Sequence, residues 1–106
     1  MPGLTPRVPA MSVFLTNDED PGDQVASNRG WGDFGTWVES LDAGAFPKLS
    51  ALREHGCAEP VSALRKELAK ALKKFPPTDA SALAVARAVA EALANFAADD
   101  PAIAHS

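Results

Sequence analysis

Cysteine occurs once in this 106-residue chain, as Cys57. No internal disulfide framework can form, and a reducing compartment is expected. Histidine occurs twice, as His55 and His105. Together with Cys57 these fall short of the roughly four ligands that a zinc site takes, so no metal is expected. A nucleophilic Cys57 would need a histidine base oriented by a third group. His55 is near in sequence, but a helix-ending turn at Gly56 points its neighbours apart, and Cys57 reads as a small buried or half-buried thiol. No apolar run approaches the ~20 residues of a membrane span, so no membrane partner is expected. Residues 1–10 hold three prolines, a single arginine and no apolar stretch. That composition is not a secretory signal, and the cytoplasm is the expected location.

Catalytic arrangements are missing as well. There is no Ser-His-Asp set and no phosphate-loop lysine. The run Gly30-Trp31-Gly32-Asp33-Phe34-Gly35 spells the dinucleotide fingerprint, but that fingerprint works between a strand and a helix of a βαβ unit. Here Trp31 and Phe34 are bulky, Asp33 would repel a pyrophosphate, and no such unit follows. The acidic run Asn17 to Asp23 fails as a calcium loop. Counted from Asp18, the sixth residue is Asp23 and the twelfth Arg29, where an EF-hand needs Gly and Glu. Asp18-Glu19-Asp20 and Asp99-Asp100 lie in loop sequence with nothing to desolvate a carboxyl group. No catalytic residue and no cofactor are expected, and the chain does not read as an enzyme.

Both tryptophans and Phe34 crowd into Trp31 to Trp37, interleaved with Gly30, Gly32 and Gly35. Large rings beside residues with no side chain point to a close approach of backbone segments, at the centre of the fold or at a docking surface. Charge is also unevenly spread, although the net value is −4. Residues 60–76 carry Arg65, Lys66, Lys70, Lys73 and Lys74 against Glu67 alone, while the segments on either side are acidic.

The periodicity predicts four helices. At about 100° per residue, Trp31, Phe34, Trp37, Val38 and Leu41 share one arc, giving a helix over 31–41 capped by Ser27 or Asn28 and ended by a left-handed Gly44. Gly35 costs about 1 kcal/mol inside a helix, which suggests that something packs closely on it. A short helix over 47–55 begins at Pro47 and ends at Gly56, with Phe46, Leu49 and Leu52 on its buried edge. The third, from Pro60 to Phe75, sets Val61, Leu64, Leu68, Leu72 and Phe75 on one stripe opposite the lysines and stops at Pro76-Pro77. The fourth runs from a Thr78 or Asp79 cap to about Ala98 and buries Leu83, Val85, Val89, Leu93 and Phe96. Its polar face is so narrow that most of its circumference must be covered, by the other helices or by a second copy in a homodimer. Residues 11–16 read as a short extended segment.

The expected fold is therefore all-α. It is a small four-helix domain over 11–98 with an extended N-terminal segment, the last two helices forming an antiparallel hairpin. Residues 1–10 are expected to be a disordered leader, with Met11 an alternative start, and 99–106 a flexible tail. The expected function is that of a small non-catalytic cytoplasmic protein-interaction module of adaptor, inhibitor or regulatory type. Candidate partner-binding residues are Trp31, Phe34 and Trp37 on the aromatic stripe, and Lys66, Lys70, Lys73 and Lys74 on the basic face. The alternative is a weak nucleic-acid or polyanion binder using those lysines. Against it stand the acidic balance of the chain and a face with no Asn, Gln or Arg cluster to read base edges.

Overall fold

The computed structural model describes residues 12–17 and 22–105. The expected leader and the choice between Met1 and Met11 lie outside them. The chain forms β1 (Ser12–Thr16), β2 (Asp23–Ser27), α1 (Asn28–Glu39), α2 (Pro47–His55), β3 (Cys57–Ala58), α3 (Val61–Lys74), α4 (Ala80–Leu93) and β4 (Ala102–His105). The all-α expectation is thus corrected: the strands make a four-stranded antiparallel sheet in the order β2-β1-β4-β3. The fold is mixed, with helices laid against the sheet rather than a helical bundle. The segment expected to be a C-terminal tail supplies β4, which lies between β1 and β3 in the middle of that sheet.

Alternation along β1 sends Val13 and Leu15 into the core and leaves Phe14 on the opposite face, stacked on His105 with ring centroids 5.8 Å apart. A bulge in the β1–β2 ladder explains why two successive β2 residues, Val25 and Ala26, are both buried. Val13 faces Ala26 but Phe14 faces Gln24, so Val25 is the extra residue. Gly22, just ahead of β2, has φ +95, and a Cβ there would sit 2.6 Å from the Leu15 carbonyl oxygen. No other residue type fits both that conformation and that approach.

The helices largely occupy the segments that the periodicity marks. Ser27 caps α1 by accepting from Gly30 N at 3.0 Å, and Asp79 caps α4 by accepting from Ala82 N at 3.0 Å. Gly56, with φ 72, closes α2 as expected. Gly44 does not end α1. The helix stops at Glu39, and the positive-φ glycines among the described residues are Gly22 and Gly56. Nor does α4 reach Ala98. Arg65, early in α3, donates its Nε and Nη2 to the Leu93 carbonyl at 3.0 and 2.7 Å, and Nη2 also donates to the Phe96 carbonyl. This guanidinium serves the last carbonyls of α4 that a longer helix would have satisfied internally. It also ties the start of α3 to the end of α4, so the two run antiparallel. The broad apolar surface of α4 is covered within the chain, by α1, α3 and β2. Among the described residues no helix is long and apolar enough to cross a membrane.

One carboxylate has a structural role that spacing alone does not show. Glu67 Oε1 accepts from the Lys48 and Leu49 backbone N–H groups at 2.8 and 3.0 Å. It caps α2, which has no side-chain cap of its own. Glu67→Ala should therefore cost about 1–2 kcal/mol in a urea melt, the usual loss for a helix cap, and Glu67→Gln considerably less. Equal losses for the two variants would mean that the side chain acts through packing rather than as an acceptor.

Candidate functional site

The aromatic residues of α1 divide once they are placed. Phe34 is completely buried, Trp37 is 8% exposed and Trp31 is half-buried. Ring centroids lie 5.1 Å apart for Trp31 and Phe34, and 5.8 Å for Phe34 and Trp37, so the three form one tilted stack. Trp37 Nε1 donates to the Phe75 carbonyl oxygen at 2.8 Å, which satisfies its polar edge inside the fold. Phe34 and Trp37 thus belong to the core. Of the three, Trp31 alone keeps a substantial open edge, at a cleft of about 490 Å³ lined by Trp31, Gly32, Gly35, Arg53, Glu54 and His55.

The interleaved glycines serve different purposes. A Cβ at Gly30 would meet Val85 Cγ2 at 3.2 Å, and one at Gly35 would meet Arg53 Nε at 3.3 Å; at Gly32 it would meet nothing within 4 Å. The group packed on Gly35 is therefore the Arg53 side chain. Its Nε donates to the Gly35 carbonyl at 3.0 Å and its Nη2 pairs with Glu39 at 3.2 Å. Both Arg53 and Arg65 are engaged in holding elements together.

The lysines remain. Lys66, Lys70, Lys73 and Lys74 are all exposed along α3, and the Arg53–Glu39 pair is the one ion pair among the described residues. Lys70 Nζ lies 5.9 Å from the centroid of the Phe46 ring, close enough for a weak cation–π attraction. With Glu67 turned onto the start of α2, its carboxylate is committed to two backbone donors rather than to neighbouring lysines.

Phe75 departs from its expected place on the buried stripe of α3. It is 54% exposed, the one large hydrophobic side chain left open among the described residues, while Ala71 is fully buried. The cause is local. Pro76 disfavours helical geometry in the residue before it, and Phe75 accordingly takes φ −135 and ψ 56 as the C-cap. Its ring swings off the stripe and packs edge-on against Phe46, centroids 6.2 Å apart and planes at 89°. The signal was in the sequence: a large ring immediately before Pro-Pro belongs to the helix end, and the 3.6-residue pattern does not extend to it. Past the prolines, a cleft of about 310 Å³ runs between α1 and the start of α4, lined in part by Asp33, Trp37, Pro77 and Asp79.

His55 is exposed at the end of α2 and Cys57 is half-buried in β3. Among the described residues no three His, Cys, Asp or Glu side chains gather as a metal site requires. Comparison with protein-family models, curated proteins and solved structures finds no match.

Proposed function

We propose that this chain is a non-catalytic protein-interaction module of adaptor, inhibitor or regulatory type, acting in the cytoplasm and docking its partner around Phe75. The observation that carries this reading is the exposure of Phe75, 54%, where the other large apolar side chains among the described residues are buried or half-buried. An aromatic ring held open at the surface is the kind of group on which interfaces concentrate their binding energy. The ring is also positioned from beneath by Phe46, so little rotamer freedom is lost when a partner covers it. Trp31, at the cleft beside Arg53, is the second-ranked anchor on the same criteria.

The test is co-purification of the full chain from the cells that produce it, alongside Phe75→Ser. The substitution should move the melting midpoint little, because it removes surface that is already half in water, and should abolish retention of the partner. A partner retained by Phe75→Ser but lost with Trp31→Ala would move the docking surface to the α1 cleft. A substrate turned over by the purified chain would refute the non-catalytic reading itself.

A further inference from the structure

We infer that the partner presents a short acidic segment carrying an apolar side chain, which lies along the lysine face of α3 and ends on Phe75. This rests on the interaction-module reading and specifies what the surface accepts. The charge pattern argues for it first. Lys66, Lys70, Lys73 and Lys74 are exposed in the one basic stretch of a chain whose net charge is −4. The acidic residue within that stretch, Glu67, caps α2. The arginine within it, Arg65, is spent on the carbonyls of Leu93 and Phe96. What faces outward is therefore an array of lysine ammonium groups. These are compact charges on flexible stems, which attract carboxylates without demanding the planar, two-point geometry that arginine imposes.

Size argues second. From Lys66 to Lys74 the helix advances about 12 Å at about 1.5 Å per residue. An extended segment of roughly four residues, at about 3.3 Å each, covers that distance. Phe75 follows directly at the helix end, so an apolar residue next to the acidic run would meet its ring.

Surroundings argue third, and they separate a peptide from a nucleic acid. Asp33 and Asp79 line the cleft just past Pro77, and Asp79 follows Lys74 by five residues, so carboxylates border the basic stretch at its C-terminal end. A nucleic-acid strand carries its negative charge well beyond a 12 Å patch and would run into that acidic border. A short acidic segment ends within the patch.

The experiment is selection of random 16-residue peptides displayed on phage against the intact chain, followed by fluorescence anisotropy with the enriched peptides. Enriched sequences should combine a run of Asp or Glu with a Leu, Phe or Trp. Their affinity should fall at least about five-fold between 50 and 300 mM NaCl. It should fall at least about ten-fold in Lys70→Glu/Lys73→Glu/Lys74→Glu and in Phe75→Ser, while Arg87→Glu, on the exposed face of α4, leaves it unchanged. Circular dichroism melts of each variant would show that the fold is retained. Enriched peptides without acidic bias, or peptides indifferent to the triple reversal, would overturn this inference and leave the interaction-module reading standing. No enriched peptide, with tight salt-dependent binding of a 20-nucleotide single strand instead, would overturn both. Concentration-dependent self-association lost on the triple reversal, with no peptide enriched, would assign the surface to a second copy and refute the acidic-segment proposal.

Discussion

A chain ending at Pro101 should lose its cooperative thermal transition. β4 has β1 on one side, through Leu15 opposite Ala104 and Thr16 opposite Ile103, and β3 on the other, through Cys57 opposite Ile103. Its first residue, Ala102, is completely buried, and Ala104 N donates to the Gly56 carbonyl at 2.7 Å. Removing the strand leaves the two-residue β3 without its sheet partner and strips one edge of β1 of its hydrogen bonds. Each buried backbone group left unpaired costs about 1–3 kcal/mol. Several together consume most of the 5–15 kcal/mol by which a domain of this kind is stable. Differential scanning calorimetry and near-ultraviolet circular dichroism of the truncated chain are the measurements. A truncated chain melting within about 2 °C of the full one would restore the reading of this segment as a tail, since even a loss of about 1 kcal/mol shifts the midpoint by more.

The miss at β4 and β2 has a physical origin. Helices α1, α3 and α4 are long enough to repeat their apolar spacing three or four times, and each is bounded by capping residues or prolines. β2 is Asp-Gln-Val-Ala-Ser and β4 is Ala-Ile-Ala-His. Each contains one β-branched apolar residue, and alanine and aspartate are weak strand formers. Nothing local makes such segments extended. They are strands because β1, which is apolar and β-branched enough to be read as extended from its own sequence, offers both of its edges. A strand with two open edges requires partners, and that requirement was the available clue.

The candidate surface was legible in part. The lysine face follows from amphipathic spacing, and the structure leaves all four lysines exposed. Periodicity also groups Trp31, Phe34 and Trp37 on one side of a helix, but it does not say which edge of that side a neighbour covers. Tertiary packing decides it: Phe34 is fully buried and Trp37 is engaged by the Phe75 carbonyl, while Trp31 stays at the rim. The role of Arg65 could not be read in advance, because its carbonyl partners are 28 and 31 residues away.

Within the aromatic stack, substitutions should follow burial rather than ring size. Phe34→Ala should destabilise by about 3–5 kcal/mol, the range for removing a fully buried ring, because the rings and helices around it cannot close on the space. Phe34 has no exposed surface and contacts a tryptophan on each side, so the hydrophobic transfer of the whole ring is lost with it. Trp31→Ala removes a larger ring, yet it should cost only about 1–2 kcal/mol, since part of that ring already faces the cleft beside Arg53 and its hydrophobic transfer is incomplete. Lys70→Ala, on the exposed face of α3, should stay within about 0.5 kcal/mol. Urea melts of the three variants give the order directly. In thermal melts Phe34→Ala should fall on the order of 20 °C, at about 4–8 °C per kcal/mol. Should Trp31→Ala prove as damaging as Phe34→Ala, the tryptophan is a structural ring in full. The cleft beside it would then drop out as a second anchor, leaving Phe75 as the remaining aromatic available to a partner.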